Sequence, residues 1–142
     1  MSALTRRLLI APTALLACLC VLALASSSAL GFKSFQTPSH NIACAMFKTG
    51  VRCDIAQHSW KAPPKPKSCH LDYGNGLSLS THGRATFTCA GDTILHMGAV
   101  LPYGQSKTKG RFRCTSLTTG VRCVNRANGH GFLLSRQVAR RF

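Results

Sequence analysis

Apolar positions in this chain recur every second residue in short runs. Val51, Cys53 and Ile55 alternate with Arg52 and Asp54. Leu77 and Leu79 alternate with serines, and Ala85, Phe87 and Cys89 with threonines. A period of two puts successive side chains on opposite faces of an extended strand, one for the core and one for water. No long helical period is present. The pattern predicts about seven to nine short antiparallel strands, hence an all-β fold, a small barrel or sandwich.

One pentapeptide occurs twice. Thr49-Gly50-Val51-Arg52-Cys53 returns as Thr119-Gly120-Val121-Arg122-Cys123, and each copy follows an earlier cysteine at the same distance, Cys44 and Cys114. Each block reads as a hairpin. A four-residue loop Phe47–Gly50 sets Met46 opposite Val51 and Cys44 opposite Cys53, with Gly50 last in the loop where a left-handed residue is wanted. The loop Leu117–Gly120 does the same for Ser116 and Val121. Facing residues lie about 4.5–5.5 Å apart at Cα, within reach of a disulfide. The two hairpins invite a pseudo-symmetric reading, but the middle of the chain shows no sequence repeat. A further hairpin is expected over Leu77–Ala90 around His82-Gly83, a strand beginning at Asp92-Thr93-Ile94-Leu95, and a last strand over Phe132–Arg136. Trp60-Lys61-Ala62-Pro63-Pro64-Lys65-Pro66-Lys67 should be an extended, polyproline-like connection. Its tryptophan is either a lid on the core or an aromatic platform beside three lysines.

The N-terminus carries a different signal. Arg6-Arg7, an apolar run from Leu8 to about Ala25 and the small residues Ala25–Ala29 have the order of a secretory signal peptide. Residues 1–29 are therefore expected to form a signal helix that is cleaved, with an uncleaved anchor as the rival. Residues 30–142 then form one cysteine-rich β domain. Removing the leader takes Cys18 and Cys20 and leaves six cysteines, an even number that reads as a disulfide framework in an exported chain of this size. Sequence order pairs Cys44–Cys53, Cys69–Cys89 and Cys114–Cys123. Zinc is disfavoured, because short C-x2–4-C knuckles are missing. No cofactor and no metal are implied.

Charge narrows the partners. The chain has 18 Lys and Arg against 3 acids, all aspartate, for a net +15, which becomes +13 without the two leader arginines. Such a surface attracts polyanions. The cations are spread from Lys33 to Arg141, which argues against a dedicated nucleic-acid site. The sharpest basic feature is Lys107-x-Lys109-x-Arg111-x-Arg113. On one strand the four would share a face, but a turn at Lys109-Gly110 would split them and leave a basic loop. For catalysis the six histidines are the raw material. His130, between Gly129 and Gly131, is the best single candidate, with Asp92 as its orienting partner in a ribonuclease-like site. The bland reading makes His130 the solvated tip of a turn. Nucleophile elbows and paired glutamates are missing.

An ordered string of motifs resembles a known family. It comprises Phe35-Gln36-Thr37-Pro38-Ser39-His40-Asn41-Ile42-Ala43-Cys44, Val51-Arg52-Cys53-Asp54-Ile55, Trp60, Cys69, Gly91-Asp92-Thr93, Leu101-Pro102-Tyr103-Gly104-Gln105-Ser106, Gly120-Val121-Arg122-Cys123 and Gly129-His130-Gly131-Phe132. The string is similar to an uncharacterised family of small secreted actinobacterial proteins, common in mycobacteria and filed as a domain of unknown function. That resemblance implies an exported envelope or extracellular protein and supplies no activity, substrate or catalytic residue. His40 departs from it, standing where the family would have glycine. Three functional readings follow. The first is a non-catalytic exported domain binding an anionic envelope component or a protein partner, through Lys107, Lys109, Arg111, Arg113 and Trp60. The second is a small hydrolase using His130. The third is a secreted inhibitor or effector presenting the loop Phe47–Gly50.

Overall fold

The computed structural model describes residues 31–142, so the expected signal helix lies outside the described residues. Eleven strands follow in order: β1 (Lys33–Gln36), β2 (Ile42–Met46), β3 (Gly50–Ile55), β4 (Tyr73–Ser80), β5 (Thr86–Cys89), β6 (Ala99–Val100), β7 (Ser106–Lys109), β8 (Phe112–Leu117), β9 (Gly120–Asn125), β10 (Gly131–Leu134) and β11 (Ala139–Arg141). Among the described residues there is no helix, and none long and apolar enough to cross a membrane.

The strands form two separate sheets, so the molecule is a sandwich and not a closed barrel. The first has the order β5-β4-β3-β2-β1-β6 and the second β11-β10-β9-β8-β7. Apart from the short parallel addition of β6 to β1, each sheet is a five-stranded antiparallel meander.

The expected registers are found. Cys44 faces Cys53 and Met46 faces Val51, while Cys114 faces Cys123 and Ser116 faces Val121. The three expected disulfides are formed, Cys44–Cys53, Cys69–Cys89 and Cys114–Cys123. The expected positive φ is found at Gly120 (φ 148) but not at Gly50. A Cβ there would stand 2.8 Å from the Leu79 carbonyl oxygen of the neighbouring strand, and one at Gly120 would run into the Leu134 carbonyl. Close approach of β4 and of β10 therefore requires the glycine.

The repeat extends beyond the hairpins. One cross-strand row of the first sheet reads Phe35, Cys44, Cys53, Leu77, Phe87. The matching row of the second reads Lys107, Cys114, Cys123, Phe132, Arg141. The first, third and fifth members of each row touch their own counterparts. Lys107 Nζ lies 5.9 Å from the Phe35 ring centre, Cys53 Sγ lies 3.7 Å from Cys123 Sγ, and the Arg141 guanidinium stands 5.1 Å over Phe87. A pseudo-twofold axis thus runs between the sheets and across the strands. The middle of the chain repeats in architecture although its residues do not repeat.

The core is a single cluster built from both inner faces, with Phe35, Met46, Leu77, Leu79, Phe112, Val121, Phe132 and Leu134 around the two hairpin disulfides. At the two open seams cations cover apolar rings, as aliphatic stems with charged tips can. Lys107 donates to the Ser34 carbonyl at 2.9 Å and Lys33 donates to the Thr108 carbonyl at 3.1 Å. These reciprocal bonds tie β1 to β7 where no strand ladder joins them.

Residues Asp92–Leu95 form no strand. With their neighbours up to Gly98 they make a strap over the outer face of the first sheet. Asp54, on that face and 2% exposed, accepts two bonds from Arg52, at 2.9 and 2.7 Å, and one from the Ile94 N–H at 3.1 Å. Arg52 also donates to Asp92 Oδ1 at 2.8 Å. Ala43 and Ala45 point outward on this sheet yet are buried, which marks the covered ground.

Candidate functional site

The strap makes the two outer faces chemically unlike. The repeated pentapeptide places Arg52 and Arg122 at equivalent outward positions, because each precedes an inward cysteine on a strand. Arg52 is spent inside the protein. Burial pulls its pKa down, but the hydrogen bonds it donates to Asp54 and Asp92, with their charges, outweigh that and leave it raised. Arg122 has Val124 where Arg52 has Asp54. Among the described residues it is exposed, and its guanidinium lies 4.9 Å over the Phe142 ring.

Around Arg122 the second sheet presents an open basic face. Arg122 stands beside Thr115 on one side and Leu133 on the other, and Leu133 stands beside Arg140. Arg113 opposes Val124 in the next row on this face and donates to Ser106 Oγ at 3.2 Å. With strands about 4.8 Å apart and residues about 3.3 Å apart along them, Arg122 stands about 8–10 Å from both Arg113 and Arg140, which are about 16 Å from each other. From Ala99 to Phe142 the chain has nine cations and no acid. Among the described residues the salt bridges are those of Arg52 alone. The second sheet therefore holds most of the uncompensated charge, on a rigid paired surface.

The four-residue basic motif is divided. Gly110 (φ 55) and Arg111 are the two-residue turn between β7 and β8. Lys107 and Lys109 lie opposite Cys114 and Phe112, on the inner side of the edge strand, while Arg113 points outward. The segment is a fully paired hairpin, not a free basic loop. Trp60 is half-buried against the core, tilted against Phe87 at 5.8 Å, with its Nε1–H donated to the Ser135 carbonyl at 2.8 Å. His58 stacks on it at 3.7 Å. That position is a lid over the β5/β11 seam.

His130 ends the turn before β10. Its N–H donates to Asn128 Oδ1 at 3.1 Å, and its carbonyl accepts from Asn125 at 2.8 Å. Asp92 belongs to the strap on the other sheet, where Arg52 occupies its carboxylate. No hydrogen bond among the described residues joins His130 to Asp92. The histidines fall in separate loops and turns: His40 after β1, His58 and His70 in the linker, His82 between β4 and β5, and His96 in the strap. The sulfurs of Cys44, Cys53 and Cys123 do gather within 4.8 Å, but as members of the two core disulfides.

Arg122 and Arg140 were not singled out by sequence reasoning. The signal was available in two places: an arginine out of phase with each hairpin cysteine, and the lack of acids after Asp92. What no local pattern shows is that one sheet is strapped and the other bare.

These features define a class: a disulfide-stapled β-sandwich of two duplicated meanders with one covered and one basic face. Within it, the chain belongs to the Family of unknown function (DUF6636), whose model matches residues 14–142. None of the curated proteins and none of the solved structures compared with it matches.

Proposed function

We propose that this is an exported, non-catalytic domain that docks on an anionic polymer or surface of the cell envelope through Arg113, Arg122 and Arg140. The carrying observation is the divergence of the repeated arginine, neutralised at Arg52 and left open at Arg122. Export rests on the leader-like N-terminus and on three disulfides, which persist in oxidising compartments. The actinobacterial source implied by the family resemblance fits this reading.

The test is binding to an immobilised sulfated polysaccharide across a salt series. Affinity should fall steeply with salt, because exposed charges are screened within about 8–10 Å at physiological ionic strength. Changing the three arginines together to glutamine should weaken binding at least about tenfold and flatten the salt slope. Binding that ignores salt, or a triple variant that binds as well as the parent, would overturn the reading.

A second reading has one observation in its favour. Phe47, at the tip of a hairpin braced by Cys44–Cys53, is 42% exposed and lies tilted against Phe32 with ring centres 5.4 Å apart. A protein partner anchored on Phe47 should be lost in Phe47→Ala and survive high salt.

A further inference from the structure

We propose that the end of the sandwich beside the β8–β9 turn is a saccharide-binding cleft selective for sugars that carry a carboxylate. This goes beyond the polyanion face and uses none of its three arginines.

The cleft measures about 430 Å³, within the usual range of about 300–1,000 Å³ for small-ligand sites. Its walls are the β1–β2 loop, the β8–β9 turn, the β10–β11 turn and Tyr103. Loops gathered at one end of a rigid sandwich are where binding groups are commonly held. The scaffold behind them is fixed. Asn41 donates to the Gln57 carbonyl and accepts from the Gln57 N–H, Ser135 Oγ accepts from the Gln137 and Val138 N–H groups, and the Gly104 N–H donates to the Ser116 carbonyl at 2.7 Å.

The remaining groups face outward with unused capacity. Among the described residues the side chains of Thr118, Thr119, Gln137 and Tyr103 make no hydrogen bond within the protein. Hydroxyls and an amide that both donate and accept match the hydroxyls of a sugar ring. Tyr103 is 42% exposed and has no aromatic neighbour, so its face is free to lie against a pyranose. Among the described residues Arg136 is the one charged residue of the lining. It gives one Nη to Gln57 Oε1 at 2.6 Å and keeps the rest of its planar fork, a shape that fits a carboxylate. A phosphate-rich ligand would call for several cations, and an apolar one for fewer hydroxyls.

The internal duplication supplies an independent control. The turn equivalent to Leu117-Thr118-Thr119-Gly120 is Phe47-Lys48-Thr49-Gly50 at the opposite end. There the walls hold Phe47, Val51 and Leu79 together with serines, threonines, His82, Arg52 and Arg84. The two ends thus differ in detail: the cleft sets Tyr103 beside the single arginine Arg136, while the other end sets Phe47 beside Arg84 and an Arg52 already held by Asp54 and Asp92.

The test is an amide NMR titration of the oxidised protein with a galacturonate trisaccharide and with its neutral galactose counterpart. The acidic sugar should shift Thr118, Thr119 and Gln137 and bind about tenfold better than the neutral one. Tyr103→Ala, at an exposed site, should weaken both at least about tenfold, and Arg136→Gln should abolish the preference for the acid. Shifts confined to Arg113, Arg122 and Arg140 would overturn the cleft while leaving the arginine face standing. Silence at the cleft with both sugars, or undiminished binding by Tyr103→Ala, would overturn it as well.

Discussion

Cys53 Sγ rests 3.7 Å from Cys123 Sγ, so the two hairpin disulfides touch at matching positions of the two meanders. Each closes a short loop, with nine residues of separation. Constraint of the unfolded chain assigns about 2–3 kcal/mol to a loop of this length.

Replacing Cys44 and Cys53 together by alanine should therefore lower stability by about 2–3 kcal/mol, and replacing Cys114 and Cys123 by a similar amount. The quadruple variant should depart from the sum by at least about 0.5 kcal/mol, because contacting groups do not act independently. Urea midpoints of the four proteins measure this. Strict additivity would show that the sulfur contact carries no coupling.

The hairpin glycines should tolerate no side chain. Gly50→Ala and Gly120→Ala are each expected to cost about 1–3 kcal/mol, since the neighbouring strand must move away. Gly120→Ala should cost more, because the approach of the Leu134 carbonyl is the closer of the two. Thermal denaturation of both variants ranks them, and a harmless Gly120→Ala would refute the close-approach account.

His40 sits at φ 55, in the left-handed region, and Nδ1 meets Gln36 Oε1 at 2.8 Å. Glycine, which the family resemblance expects there, takes this conformation without the penalty of about 1–2 kcal/mol borne by a side chain. His40→Gly should raise stability by up to about 1 kcal/mol, the lost exposed contact offsetting part of the gain. A lower denaturation midpoint would contradict this.

The strap should respond to acid. The hydrogen bond from Arg52, and then its charge, hold the Asp92 carboxyl below its ordinary 3.8. A lowered folded pKa means that the contact contributes fully above pH 3.8 and fades as pH falls through the lower folded value. The stability gap between the parent and Asp92→Asn should thus be constant near neutrality and shrink in that acid range. Denaturation midpoints of both proteins over a pH series test it; a gap that does not change with pH would rule it out.

Period-two alternation and cysteine spacing disclosed the hairpins, their register and all three disulfides. The two hairpin bridges are local matters, settled by which residues face each other across a turn of a few positions, while Cys69–Cys89, 20 residues apart, followed from the order of the remaining cysteines. The strand expected at Asp92–Leu95 was misread for a reason equally physical: its apolar Ile94 is buried on the outside of a sheet, by contacts to Asp54 40 residues earlier. Arg52 and Arg122 stand in the same repeated pentapeptide and end in opposite electrostatic states. Asp54, where the second copy has Val124, begins the difference locally, and folding completes it by bringing Asp92 of the strap onto Arg52. The face-to-face duplication is likewise long-range, resting on pairs such as Cys53 with Cys123 and Lys33 with Thr108, 70 and 75 residues apart. No window of the chain contains both members of such a pair, so the end cleft, walled by Asn41 and Ile42 of one sheet and by Thr118 and Arg136 of the other, exists only once the two sheets are stacked.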